Sequence, residues 1–157
     1  MSGTALVTGA SGFIGSHLCR HLLGAGIEVH GVCRTAPADD AGDIRWWQLD
    51  LSDAAAVRRL VVDLKPDTVF HLAGFVSGDR SLAAVLPALQ ANHVATVNLL
   101  TAVTETGCRR IILAGSLEEP EPAEEAVTPS SPYAAAKFAS SAYANMFHAL
   151  YKTPVVT

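Results

Sequence analysis

The stretch that decides the fold of this chain is Thr8-Gly9-Ala10-Ser11-Gly12-Phe13-Ile14-Gly15, in which glycine recurs at every third residue. It follows the apolar run 5–7 and precedes a segment whose apolar residues lie one helical turn apart, at Ile14, Leu18 and Leu22. A glycine-rich turn between a strand and a helix presents backbone N–H groups that can receive a pyrophosphate. We therefore predict that residues 9–15, the glycine loop, bind a dinucleotide, with a merely tight turn as the alternative.

Each glycine of this loop has its own expected role. Gly9 permits the tight turn, Gly12 lets the phosphates approach closely, and Gly15 lets the helix lie close to the strand. The spacing is GxxGxxG, whereas the common dinucleotide fingerprint is GxGxxG, and this variant points to a narrower family.

Short β-branched runs alternate with longer helical patterns along the rest of the chain, which is typical of a parallel sheet covered by helices. Strands are predicted over residues 5–8, 28–34, 44–49, 68–71, 110–114 and 154–157, and helices over 14–23, 53–64, 81–105 and 132–151. We expect Ser52 to cap the second helix, Pro87 to cause a kink or a late start in the third, and the Ser130-Ser131 pair to supply the cap of the fourth. Residues 118–129 should form a surface loop. The predicted fold is α/β, a doubly wound (Rossmann-type) parallel sheet with helices on both faces.

Composition excludes several classes of protein. The 157 residues carry 11 Lys+Arg against 15 Asp+Glu, a net charge of −4 that has the wrong sign for nucleic-acid phosphates. Half of the residues are hydrophobic, which is enough for one core, but no apolar run approaches the ~18 residues of a membrane span. With no targeting segment and three scattered cysteines that lack metal-ligand spacing, we expect a cytoplasmic protein with buried thiols and no metal.

The ends of the second and third predicted strands bear on which nicotinamide cofactor binds. An NAD-selective site has an acidic residue at the end of the second strand. This chain has Arg34 there, and its guanidinium can donate two hydrogen bonds to the 2′-phosphate of NADP. We therefore favour NADP(H), with NAD(H) possible and a solvated arginine as the alternative interpretation. Asp50, followed by Leu51, is placed to accept from the adenine amino group; alternatively, it only turns the chain toward Ser52.

A tyrosine and a lysine near the start of the last helix form a candidate reactive pair. Tyr133 and Lys137 are four residues apart, so they share a helix face, and a nearby ammonium stabilises a phenolate. Without further evidence, we would interpret this pair as two side chains on an exposed helix face. Ser116, however, follows the fifth strand at the edge where a nicotinamide would lie, so the three side chains can converge on one carbonyl. His71 is interpreted as a hydrogen-bonded core residue and not as a catalyst.

Taken together, these segments resemble the extended short-chain dehydrogenases/reductases, in the group of NAD(P)-dependent nucleotide-sugar epimerases, dehydratases and reductases. The resemblance covers essentially the whole chain, on residues 8–15, Asp50-Leu51, His71-Leu72-Ala73-Gly74, Asn92 with Thr96, Ser116, and Tyr133 with Lys137. It implies a nicotinamide cofactor that passes close to Leu72, Ala73 and Gly74, and catalysis by Ser116, Tyr133 and Lys137. It also implies that Ser81 and Ser116 contact the substrate sugar and that Asn92 supports the site through backbone contacts.

The stretch Gly115-Ser116-Leu117-Glu118-Glu119, with Arg34, is closer to enzymes that reduce or epimerise nucleotide-linked 4-keto-6-deoxy sugars. In that reaction Tyr133, Lys137 and Ser116 exchange the proton while the nicotinamide exchanges hydride. Glu118 also matches the acidic residue with which dehydratases of this family remove a sugar proton, although Leu117 replaces the aspartate that often precedes it. A 4,6-dehydratase therefore stays open, as do a structural role for Glu118 and a dinucleotide-binding module without turnover.

The resemblance further implies a C-terminal substrate domain, for which this chain has no counterpart. We expect residues 1–157 to be one dinucleotide-binding domain, a fragment of a longer protein whose remainder supplies most of the substrate groove. We also expect the protein to be a homodimer.

Overall fold

Six parallel strands form the centre of the computed structural model, which describes residues 3–35, 43–120 and 128–157. The strands are β1 Thr4–Thr8, β2 Glu28–Cys33, β3 Arg45–Gln48, β4 Thr68–His71, β5 Arg110–Leu113 and β6 Val155–Val156. They form one sheet in the order β3-β2-β1-β4-β5-β6, with every neighbouring pair parallel. The predicted doubly wound Rossmann-type sheet is confirmed. Its strand order reverses between β1 and β4, and ligands bind such sheets at that point, beyond the carboxyl ends of the strands.

The helices that connect the strands include one irregular segment. They are α1 Phe13–Gly24, α2 Ala54–Leu64, α3 Val85–Ala88, α4 Ala95–Thr106 and α5 Pro132–Tyr151, with a 3₁₀ turn at Leu82–Ala84 and a π turn at Leu89–Val94. Pro87 lies in the first turn of α3, where its missing N–H has no intrahelical acceptor to lose. The structure agrees with the late start predicted near Pro87, because the long regular α-helix begins only at Ala95, after the π turn.

Side chains at the helix starts correct one prediction and confirm another. Asp53 caps α2, because its carboxylate accepts the Ala56 N–H at 3.0 Å; Ser52, predicted as the cap, donates to Asp50. The Ser131 hydroxyl accepts the Ala134 N–H at 3.0 Å and caps α5 as expected. Of the predicted loop 118–129, residues 121–127 lie outside the described part of the chain.

Alternate side chains along the strands pack on opposite faces of the sheet. Leu6 and Val32 belong to a core with α2, α4 and α5, whereas Ala5, Val7 and Val29 pack with α1. Helices therefore cover both faces, as the doubly wound fold requires. Cys19 and Cys33 are buried free thiols as predicted, and the third free thiol, at Cys108, is half-buried. Within the described residues, no helix has the length and apolar character to cross a membrane.

Candidate functional site

Close backbone contacts leave no room for a side chain at two glycines of the glycine loop. Gly9 has φ +69°, and a Cβ there would lie 2.7 Å from the backbone nitrogen of Ala73. A Cβ on Gly15 would lie 2.1 Å from the Gly9 carbonyl oxygen. The structure thus shows the tight turn at Gly9 and the close packing at Gly15, while the closeness of phosphates to Gly12 stays a prediction.

The start of α1 suits an anionic ligand. Gly12 is the N-cap residue, no side chain caps the helix, and its first turn holds no acidic residue. The first-turn N–H groups at the positive end of the helix dipole therefore lack a side-chain acceptor. Ser11 is exposed beside them, and the large apolar side chains of Phe13 and Ile14 are exposed by 82% and 66%. These residues fit the pyrophosphate of a dinucleotide and an apolar contact with its rings.

Beside the loop, the end of β4 is held by a directional chain of hydrogen bonds. Ala73 N–H donates to the Thr8 hydroxyl at 3.2 Å, and that hydroxyl pairs with His71 Nδ1 at 2.7 Å. His71 Nε2 pairs with the Thr96 hydroxyl at 3.1 Å, and Thr96 donates to the Asn92 carbonyl at 2.5 Å. Because Thr96 uses its proton on that carbonyl, it accepts from Nε2–H, which leaves Nδ1 to accept from Thr8.

This chain of bonds requires a neutral imidazole at His71. Burial, with a smaller contribution from the Lys137 charge, lowers the pKa of His71 to about 3. Both ring nitrogens are engaged within the protein. His71 is thus the hydrogen-bonded core residue predicted from the sequence.

The segment that follows β4 is fastened by one buried asparagine. Asn92 accepts the Phe75 N–H through Oδ1 at 3.0 Å and donates to the Phe75 carbonyl from Nδ2 at 2.9 Å. A Cβ on Gly74 would lie 2.7 Å from that same Oδ1. Asn92 belongs to the π turn, and its carbonyl accepts from Thr96. The backbone of residues 72–74 is therefore fixed beside the glycine loop.

Two neighbouring glutamates after β5 have different surroundings. Glu119 accepts the Ser116 N–H through Oε1 at 2.8 Å and the Ser141 hydroxyl through Oε2 at 2.5 Å. Glu118 is exposed, and its carboxylate accepts from Ser131 at 3.3 Å. The Ser116 hydroxyl accepts the Glu118 N–H at 3.1 Å, so its own proton is available to a substrate oxygen.

The candidate reactive pair is carried by the first two turns of α5. Tyr133 is the second residue of that helix and is half-exposed, and Lys137 follows one turn later. Lys137 Nζ donates to the carbonyl of Ala114, two residues before Ser116. Burial lowers the pKa of Lys137, and the Glu119 carboxylate opposes that change. The helix and the end of β5 are thus brought together at the carboxyl edge of the sheet.

The residues predicted to select the cofactor lie on the β2 and β3 side of that edge. Arg34 is exposed, and its carbonyl accepts from Gln48 at 3.0 Å. Hydrogen bonds from the N–H and the hydroxyl of Ser52 lower the pKa of Asp50, and the Arg34 charge contributes to a smaller extent. The structure therefore shows the second of the two roles predicted for Asp50, which is to turn the chain toward Ser52. The contact of Asp50 with adenine stays a prediction. The Leu51 side chain is buried in the core, so only its backbone could meet a cofactor.

Contacts link most, but not all, of the predicted site. They connect the glycine loop with residues 72–74, and α5 with Ala114 and the Ser116 loop. Ser81 is exposed, and its N–H and hydroxyl both donate to Asp79, at 2.8 and 2.9 Å. These bonds do not connect Ser81 to the rest of the predicted site, and its contact with a sugar stays a prediction. Glu119 is the residue that the sequence reasoning missed; its position directly after Glu118 was the available signal.

Metal ligation has no support in residues 3–35, 43–120 and 128–157, where no three His, Cys, Asp or Glu side chains are grouped to hold an ion.

Comparison with known proteins gives consistent matches. The family model described as "NAD dependent epimerase/dehydratase family" matches residues 5–157. The UDP-glucose 4-epimerase of Mycolicibacterium smegmatis is 35% identical over 93% of this chain and 51% of its own length. A probable dTDP-glucose 4,6-dehydratase of Sinorhizobium fredii is 30% identical over 96% of this chain and 51% of its own.

A solved structure agrees with these matches. The UDP-glucose 4-epimerase of Thermus thermophilus in complex with NAD superposes with a TM-score of 0.83 at 29% identity, over 97% of this chain and 53% of that one. The chain therefore spans about half the length of the relatives that it matches.

Proposed function

Because this chain belongs to the NAD-dependent epimerase/dehydratase family, we propose that it supplies the cofactor-binding half and the catalytic group of an enzyme that acts on a nucleotide-linked sugar. The observation that carries this proposal is the bond from Lys137 to the Ala114 carbonyl. It sets the Tyr133 and Lys137 helix beside Ser116, at the same sheet edge as the glycine loop. The relatives named for UDP-glucose and dTDP-glucose support a nucleotide-sugar substrate.

In the proposed reaction, each side chain has a task that its surroundings allow. The glycine loop residues Gly9, Ser11, Gly12, Phe13, Ile14 and Gly15, with the backbone at residues 72–74, would hold a nicotinamide dinucleotide, which when bound supplies hydride exchange with a sugar carbon. The Ser116 hydroxyl donates to the sugar oxygen, and Tyr133 exchanges the proton of that oxygen. Lys137 stabilises the phenolate by its charge and offers donors to a ribose hydroxyl.

For the reaction itself, we place reduction or epimerisation of a 4-keto-6-deoxy sugar first. Glu118 contacts Ser131 on the α5 cap, which favours the structural role for its carboxylate over that of a base. The dTDP-glucose 4,6-dehydratase relative keeps dehydration through Glu118 as the second candidate. Reduction consumes the reduced cofactor stoichiometrically, whereas epimerisation and dehydration regenerate the cofactor. Cofactor consumption with UDP-glucose and with a nucleotide-linked 4-keto-6-deoxy sugar therefore separates reduction from the other two reactions, and the sugar product separates epimerisation from dehydration.

The Tyr133→Phe variant tests the catalytic group. We expect turnover to fall by about 100-fold or more, because the proton donor is lost, while cofactor affinity stays within a few-fold. Tyr143→Phe is the matched control, since Tyr143 lies on the same helix with its ring against His93. Wild-type turnover in Tyr133→Phe would remove Tyr133 from the mechanism. Absence of cofactor binding to the wild-type protein would refute the whole proposal.

The NADP(H) preference is a separate proposal that depends on Arg34. This exposed guanidinium lies near the Asp50 carboxylate, on the side of the sheet edge where the adenosine ribose is expected. Arg34→Ala should weaken binding of NADPH about tenfold more than binding of NADH, as measured by fluorescence titration. Equal losses for the two cofactors would contradict the preference and leave NAD(H) as the cofactor.

We also propose a homodimer that works in the cytoplasm. Large apolar side chains are exposed on α3, α5 and the turns beside α3, at Leu82, Leu86, Leu89, Tyr143 and Leu150. A second copy covering this surface would remove these side chains from water. Leu86→Glu should then shift sedimentation toward the monomer, whereas Leu117→Glu, at an exposed leucine outside this surface, should not. The three free thiols are compatible with a reducing compartment.

A further inference from the structure

The carboxylate of Glu119 joins two elements that carry the site. One oxygen accepts the backbone N–H of Ser116 at 2.8 Å, and the other accepts the hydroxyl of Ser141 at 2.5 Å. Ser141 lies on α5 one helical turn after Lys137, on the same helix face. A single side chain therefore sets the Ser116 backbone relative to the helix that carries the reactive pair.

The same carboxylate is the counter-charge of Lys137. The Lys137 ammonium donates to the neutral Ala114 carbonyl, and burial disfavours its charged form. His71 and Lys137 line one small cavity at this edge of the sheet, and His71 stays neutral because its pKa is about 3. His71 therefore supplies no counter-charge. Of the described residues, Tyr133 is also titratable and lies one turn earlier on the same helix. The charge that favours the Lys137 ammonium comes from Glu119.

We propose that Glu119 is a positioning residue of this site, which ties Ser116 to α5 and places a negative charge near the Lys137 ammonium. The proposal rests on the proposed function only in treating Ser116, Tyr133 and Lys137 as the catalytic group. Glu118, its neighbour, makes a single 3.3 Å contact with Ser131 and has no comparable link to the reactive pair. The positioning role is therefore assigned from the hydrogen bonds of Glu119, and not from the number of glutamates in this loop.

Glu119→Gln removes the charge of the carboxylate but can keep its two hydrogen bonds to Ser116 and Ser141, which we call the tether. A glutamine has the same length, can accept the Ser116 N–H through its oxygen, and can donate to Ser141 from its nitrogen. The titration of Lys137 Nζ, followed by heteronuclear NMR on the whole protein, should move to lower pH. Glu105→Gln is the control, because it removes a carboxylate paired with exposed Arg58 and should leave the Lys137 titration unchanged. An unchanged titration in Glu119→Gln, or an equal shift in Glu105→Gln, would overturn the proposal.

Ser141→Ala tests the tether without removing the charge. We expect kcat to fall several-fold with KM and the Lys137 titration unchanged, because the loop is less well held while the carboxylate stays near the ammonium. Wild-type kcat in Ser141→Ala would overturn the tether. If the Lys137 titration responds to Glu119→Gln but the protein binds no nicotinamide cofactor, the charge role of Glu119 stands and the proposed function fails.

Discussion

Replacing Gly15 by alanine should strain the glycine loop. The new Cβ would lie 2.1 Å from the Gly9 carbonyl oxygen and 2.8 Å from Ala10 Cα. The first separation is more than about 1 Å shorter than an ordinary contact, and the opposing atoms are backbone that no rotamer change can move aside. Overpacking of this kind costs about 2–3 kcal/mol of unfolding free energy.

Urea unfolding measures this cost. With a slope of about 2 kcal/mol per molar urea, the Gly15→Ala midpoint should fall by about 1–1.5 M. Gly24→Ala is the matched control: Gly24 is the last residue of the same helix, and a Cβ there would meet nothing within 4 Å. That variant should be neutral or more stable by up to about 1 kcal/mol. If Gly15→Ala unfolds within 0.5 kcal/mol (roughly the spread of surface substitutions) of the wild type, the loop geometry described above is wrong.

Two further predictions concern stability. The free energy of unfolding should fall as the pH falls from about 6.5 toward 3, because His71 takes up a proton in the unfolded chain but not in the folded protein, where its pKa is about 3. The loss of unfolding free energy is about 2–3 kcal/mol at a pH of roughly 4.5. Urea unfolding of His71→Gln should show a weaker dependence on pH, and an equal dependence in the variant and the wild type would contradict the neutral ring. Because Asp53 caps α2, Asp53→Ala should lower the free energy of unfolding by about 1 kcal/mol and Ser52→Ala by less than half of that. Thermal unfolding of the two variants measures these losses. A larger loss in Ser52→Ala would identify Ser52 as the cap.

The features predicted correctly are those that local sequence determines. The glycine loop, the six strands and the Ser131 cap each depend on a few adjacent residues whose conformational preferences agree with the fold. The choice between Ser52 and Asp53 as the cap was not accessible, because both residue types can cap a helix and they are adjacent.

The parts of the site that were missed depend on distant partners. Glu118 and Glu119 are chemically identical, and their different surroundings are set by Ser131 and Ser141, which follow much later in the chain. The π turn at Leu89–Val94 had no sequence signal either, although it carries Asn92. Sequence reasoning could name the candidate reactive residues and Asn92, but not Glu119, whose partner Ser141 lies 22 residues away along the chain.

The direct contact between Gly9 and the backbone of Ala73 has a mechanical consequence. No side chain lies between the two segments, so a displacement of the first cannot be absorbed by a change of rotamer and must be passed to the second. The second segment is in turn clamped through Phe75 by Asn92. The conformations of the two segments are thus coupled through backbone contact alone. Any redesign of one loop would have to rebuild both.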